Sequence, residues 1–179
     1  MSALPQRFNW SCYRMAELPA EFQRKTAPTV PMADPLYFYT KTMPFWGLSN
    51  FAPPGFEKDG AFWPTVEHYF QAQKFDSPDM RDRIRRASTP KDARSLGQSR
   101  SFAIRPDWHE VRDSVMLCAL RCKFSAKAAR DLLISTADRP LVESSPYDYY
   151  WAAGQDGSGQ NRLGQLLVKV RAELVQNAA

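Results

Sequence analysis

Cysteine and histidine are scarce in this chain. Its 179 residues hold three cysteines, Cys12, Cys118 and Cys122, and two histidines, His68 and His109. An odd number of cysteines without framework spacing argues against a disulfide scaffold and for a reducing compartment. Cys118 and Cys122, four apart on an apolar stripe, read as core packing. Neither histidine stands at zinc-site spacing from a cysteine, so no metal is expected. No apolar run approaches a membrane span. The first ten residues, interrupted by Pro5, Gln6 and Arg7, do not form a signal peptide. The cytoplasm is the expected location, with the nucleus as the alternative. There is no internal repeat and no low-complexity tract.

The composition itself is that of an ordinary globular domain: 44% hydrophobic and 24% charged residues. This excludes disorder along the whole chain and suits one domain with a real core. Lys and Arg number 24 against 19 Asp and Glu, a formal charge of +5. That balance favours anionic partners such as phosphates or nucleic acid. Arg81, Arg83, Arg85 and Arg86 are interleaved with Asp79 and Asp82. They read either as a solvated helix face laced with ion pairs or as a phosphate site.

Residues 1–35 are broken by Pro5, Pro19, Pro28, Pro31 and Pro35. They read as an irregular extension with at most a short helix around Ala16 to Lys25. The domain is expected over residues 36–176. Tyr37-Phe38-Tyr39 suggests a strand, and Asp59-Gly60 a turn joining two more within Phe56 to Phe62. The chain then becomes helical. Pro64 fits the first turn of a helix running to about Phe75. Ser77-Pro78 and Thr89-Pro90 each pair an N-cap with a proline at the first helical position, and Gly97 reads as a left-handed cap. A longer helix starts near Asp107 with Val111, Val115, Cys118 and Cys122 on its core face, and another spans Ser125 to Ser135. The last helix carries Leu163, Leu166, Leu167, Val170 and Leu174 on one side. Strands that do not alternate with helices argue against a doubly wound sheet. The expected class is therefore α+β: a predominantly helical single domain with a few short strands in its first half.

The most informative stretch runs from Trp63 to Phe75. On a helix Glu67, Gln71 and Lys74 share one face, beside an apolar stripe of Val66 and Phe70, where pKa values shift. A plain surface Glu–Lys pair gives the same spacing. Asp148-Tyr149-Tyr150-Trp151 leads into a loop holding Gly154, Gly157 and Gly159, then through Asn161-Arg162 into the last helix. Backbone N–H groups at such a helix start, with Arg162 beside them, suit a phosphate, although a surface loop capped by Asn161 fits equally. Trp46, Trp63, Trp108 and Trp151 are candidates to stack on a planar base or to fill the core.

Phe45-Trp46-Gly47-Leu48-Ser49-Asn50-Phe51, followed by Trp63-Pro64-Thr65-Val66-Glu67-His68-Tyr69-Phe70-Gln71-Ala72-Gln73-Lys74-Phe75, closely resembles the signature of the NADAR (YbiA-like) family. So do Arg121-Cys122-Lys123-Phe124, Leu141-Val142-Glu143 and Asn161-Arg162-Leu163-Gly164, in matching order from about Tyr37 to Glu173. The resemblance implies a compact, mostly helical α+β domain that hydrolyses an N-glycosidic bond without cofactor or metal. The substrates it implies are ribosylamino-pyrimidine phosphates of early riboflavin synthesis, or ADP-ribose on guanine bases of nucleic acid. Glu67 matches the family's acidic residue. Trp108, Asp148, Trp151 and Asn161 match positions in or near its pocket, and Ser49, Asn50 and Lys74 are carried over with them. In one departure, Ala152-Ala153 follows Trp151 where the family commonly has Gly.

Breaking a ribosyl C–N bond builds positive charge on the sugar. The expected roles follow from that. Glu67 acts as base or counter-charge, and Lys74 keeps Glu67 ionised, contacts the sugar, or traps an opened ribose as a Schiff base. Asp148 binds ribose hydroxyls or shares proton transfer. Trp108 and Trp151 sandwich the base, and Gly159 to Arg162 holds phosphate. The expected partner is a phosphorylated ribosyl or ADP-ribosyl substrate, free or attached to DNA or RNA, with no membrane and no obligate protein partner. Two other readings are a non-catalytic ADP-ribose or nucleotide reader and a basic nucleic-acid-binding module.

Overall fold

The computed structural model describes residues 33–177, so the extension up to residue 32, with its short helix, lies outside the described residues. Strand β1 (Leu36–Phe38) is followed by a single 3₁₀ turn (Trp46–Leu48), then by the hairpin β2 (Phe56–Lys58) and β3 (Ala61–Trp63). Helices α1 (Val66–Ala72), α2 (Pro78–Arg85), α3 (Pro90–Gly97), α4 (Trp108–Lys123) and α5 (Lys127–Ile134) come next. Strand β4 (Leu141–Glu143) and helix α6 (Arg162–Gln176) complete the domain.

Local chemistry sets most of these boundaries. Asp59 and Gly60 both take positive φ (54° and 73°), the conformation a two-residue hairpin turn requires, and Lys58 pairs with Ala61 across it. Ser77 and Thr89 accept from the backbone N–H three residues on, with Pro78 and Pro90 at the helix starts. Pro64 lies outside the first turn, one residue before the N-cap. Thr65 is the N-cap of α1, its hydroxyl accepting from the His68 N–H. That helix ends at Ala72, before Lys74 and Phe75.

Three further expectations are corrected. A fourth strand, β4, lies in the second half of the chain and pairs in parallel with β1, placing Phe38 opposite Glu143. Gly97 is not a left-handed cap, since it belongs to α3 and has no positive φ. A methyl group there would strike the Gln71 side chain, so Gly97 is what lets α3 lie against α1. On α4 the fully buried residues are Met116, Ala119, Leu120 and Lys123, whereas Cys118 and Cys122 are only half-buried. A lysine in the core displaces the apolar stripe. Its Nζ donates to the Ser49 carbonyl at 2.7 Å, and burial pulls it down to about 7.

Helix α1 is buried from end to end and packs against α2, α3 and α4. Leu163, Leu166, Leu167 and Val170 of α6 enter the same core. Asn161, at φ 49°, accepts from the Glu143 N–H and donates to the Leu141 carbonyl, which fixes β4 to the start of α6. Gly164 packs so closely here that a methyl group would strike the Leu141 carbonyl and the Asn161 amide. Gly164→Ala is therefore expected to destabilise the domain by about 1–3 kcal/mol. A thermal midpoint unchanged from wild type would contradict this packing.

Candidate active site

A cavity of about 420 Å³ opens where α1, the loop after the 3₁₀ turn, β4 and the segment after β4 meet. Glu67 forms part of its wall. The first turn of α1 aims this carboxylate inward, and the Glu67 N–H donates to the Asn50 carbonyl at 3.0 Å. The side chain is 3% exposed. Asn50 Nδ2 donates to Oε2, and Gln71 Nε2 donates to Oε1 at 2.7 Å. Two amide donors on two carboxylate oxygens suit the ionised form. Burial nonetheless pushes the carboxyl above the ordinary range. The Gln71 hydrogen bond and the Arg94 and Lys74 charges pull the other way.

Lys74 also lines the cavity. Its Nζ lies 3.3 Å from the Gly97 carbonyl and 5.9 Å from the centres of the Phe70 and Trp108 rings. Burial lowers its pKa, and Glu67 raises it in opposition. The two form no salt bridge, so the surface-pair reading does not describe them. Asp148 reaches the cavity from the loop after β4. Its Oδ1 accepts from the N–H groups of Tyr150 and Trp151 at 2.9 and 2.7 Å, and this fixes the carboxylate. Ser49, Asn50 and Trp151 line the same space, as does Trp46.

The structure thus brings Ser49, Asn50, Glu67, Lys74, Asp148 and Trp151 around one cavity and leaves Trp108, Gly159, Asn161 and Arg162 out of its wall. Trp108 is 6% exposed and lies against Phe70, centroids 5.0 Å apart, while Trp151 meets the same ring edge-on at 5.2 Å. The two indoles bracket Phe70, so they cannot sandwich a base between them. Trp63 is likewise core, against Tyr69.

The expected phosphate site at the start of α6 is occupied by the protein itself. The N–H groups of Gly159, Gln160, Asn161, Arg162 and Leu163 donate to the carbonyls of Ala153, Tyr149, Ala152, Tyr150 and Trp151. The Arg162 guanidinium pairs with Asp113, which also accepts from the Tyr150 hydroxyl. Neither Ala152 nor Ala153 has positive φ, so alanine fits where the family commonly has glycine. In the Arg81 to Arg86 cluster, Asp82 pairs with Arg85 and Arg86, the ion-paired helix face.

Sequence reasoning missed Glu143 and Arg94. Glu143 ends β4, is 8% exposed and faces the cavity. Burial, then the nearby Asp148 and Glu67 charges, raise its carboxyl to about 8. Its only signal was its place in the Leu141-Val142-Glu143 string. Arg94, on α3, carried none. His68 is structural: its ring nitrogens are bonded to the Thr65 hydroxyl and the Ala87 carbonyl.

Residues 37–175 match the family model described as the NADAR domain. The chain is 46% identical over 138 residues to N-glycosidase YbiA of Escherichia coli (strain K12), covering 76% of this chain and 86% of that protein. It is 40% identical over 154 residues to the chloroplastic riboflavin biosynthesis protein PYRR of Zea mays, covering 77% of this chain but 25% of that one. The NMR structure of E. coli YbiA superposes with a TM-score of 0.76 at 43% identity, over 83% of this chain and 89% of that one.

Proposed function

This chain belongs to the NADAR family, and we propose that it is a hydrolase of N-glycosyl bonds that cleaves the C1′–N bond of a ribosyl substrate in the cavity around Glu67. The observation that carries this reading is a buried carboxylate held by two amides on the wall of a cavity lined by indole rings. A pocket that only bound nucleotide would have no need to bury a carboxylate against its sugar. Relatives at 46% and 41% identity carry the name N-glycosidase.

In this proposal Glu67, in its ionised form, faces the anomeric carbon and stabilises the oxocarbenium-like transition state or takes a proton from the attacking water. Glu143 holds its proton at neutral pH and gives it to the departing nitrogen. Two carboxyls whose surroundings separate their protonation states are a familiar way to obtain base and acid in one site. Asp148 and Ser49 bind ribose hydroxyls. Trp46 and Trp151 offer faces to the base.

Among substrates we favour ADP-ribose on guanine bases of nucleic acid over ribosylamino-pyrimidine phosphates. The formal charge of +5 supports that choice. The test is mass spectrometry of two incubations, one with an ADP-ribosylated guanine oligonucleotide and one with a ribosylamino-pyrimidine phosphate. Release of ADP-ribose with the unmodified oligonucleotide, or of ribose phosphate with the free aminopyrimidine, is expected. Intact substrate in both, with ligand still bound, would replace the hydrolase with a reader.

A further inference from the structure

The cavity carries positive side chains as well as carboxylates. Lys41, Lys74 and Arg94 line it along with Glu67, Glu143 and Asp148. Among the described residues Arg94 is the one arginine that lines the cavity. Arg81, Arg105, Arg139 and Arg171 commit their guanidinium groups to a carbonyl, a carboxylate or a hydroxyl. Among the described residues the Arg94 side chain has no such partner, and neither it nor Lys74 forms a salt bridge.

Gly97 explains why the two cations face one cavity. Arg94 and Gly97 are three residues apart on α3 and so share a face. The missing side chain at Gly97 lets that face lie on Gln71, with the Gly97 carbonyl against Lys74 Nζ. Each charge raises the cost of the other, and Arg94 adds to the forces that disfavour the charged form of Lys74. The Glu67 charge offsets part of this, yet among the described residues neither cation is paired with a carboxylate, so both stay open to an entering anion.

We infer that Arg94 and Lys74 form the subsite for a phosphate group on the ribosyl substrate, taking the place of the closed loop before α6. The inference rests on the ribosyl reading above. A guanidinium offers paired donors that match phosphate oxygens, and the lysine adds a point charge. Glu67 stands in the first turn of α1 and Lys74 lies beyond its C-cap, so carboxylate and amine reach the cavity from opposite ends of the helix. Lys41, exposed at the rim, can reach a second phosphate.

Calorimetric titration of the full chain with ribose 5-phosphate and with ribose tests the subsite without requiring turnover. Wild type is expected to prefer ribose 5-phosphate, and Arg94→Gln to erode that preference about 10- to 100-fold. Arg94→Lys keeps the charge without the fork and is expected to lie between. Arg83→Gln removes an equal charge from the exposed face of α2, outside the cavity, and is expected to keep the preference. A preference undiminished in Arg94→Gln, or reduced as much by Arg83→Gln, overturns the assignment. If the preference follows Arg94 while no substrate is hydrolysed, the subsite stands and the hydrolase reading falls. Hydrolysis with no preference gives the reverse.

Discussion

Glu67→Gln is expected to lower the turnover of an N-ribosyl substrate by about 10²- to 10⁴-fold while leaving the domain folded. The carboxamide has nearly the same shape, so Gln71 Nε2 still finds an oxygen where it now meets Oε1. Asn50, which donates to Oε2, need only turn its own amide to accept instead. What disappears is the negative charge next to the sugar. Because burial raises this carboxyl, the acid limb of the wild-type rate profile should lie above 4.5. Glu67→Ala is a different experiment. It leaves two buried amide donors without acceptors, so lost activity would come with lost stability. Single-turnover rates beside thermal midpoints separate these effects. A Glu67→Gln protein that works near the wild-type rate would remove Glu67 from the chemistry.

The second large effect is expected from Glu143→Gln. If Glu143 delivers the proton to the leaving nitrogen, wild-type activity falls as pH rises past about 8, where that proton is lost. The variant is expected to lack this alkaline limb and to run about 10²-fold slower at neutral pH, least so for a substrate whose base leaves unaided. Stability carries its own signature. The unfolded chain releases this proton near 4.5 and the folded chain near 8, so between those values the native state holds a proton the unfolded state has lost. The contribution of Glu143 is therefore complete below 4.5 and disappears as pH rises through 8. Glu143→Gln does not titrate, so its thermal midpoint should gain on wild type across that window. An alkaline limb that survives in the variant would assign the proton to another group.

Several parts of this architecture could be read from the residues. The leucines of α6 repeat often enough to define a face, and each Ser-Pro or Thr-Pro pair marks a helix start by two independent signals. Glu67 was legible because it shares a helical face with Gln71 and Lys74. The misses have physical causes. Strand β4 is as short as the others but carries neither the aromatic run around β1 nor the turn dipeptide between β2 and β3. On α4, counting apolar residues could not foresee Lys123, whose burial depends on a carbonyl 74 positions away in the chain. The α6 loop looked open because glycines suggest free N–H groups, and only the folded backbone shows which carbonyls occupy them. Arg94 and Glu143 become site residues only when α3 and β4 meet α1.

Gly97 has a consequence for how this site fails. The Gln71 amide is wedged between the α3 backbone and the Glu67 carboxylate, and its own oxygen is buried without a donor. It behaves as a strut whose length is set by the gap between two helices. Whatever loosens α3 slackens the strut and frees the carboxylate to swivel, even while β4 and α6 stay locked through Asn161. On warming, catalytic alignment should fade before the domain melts.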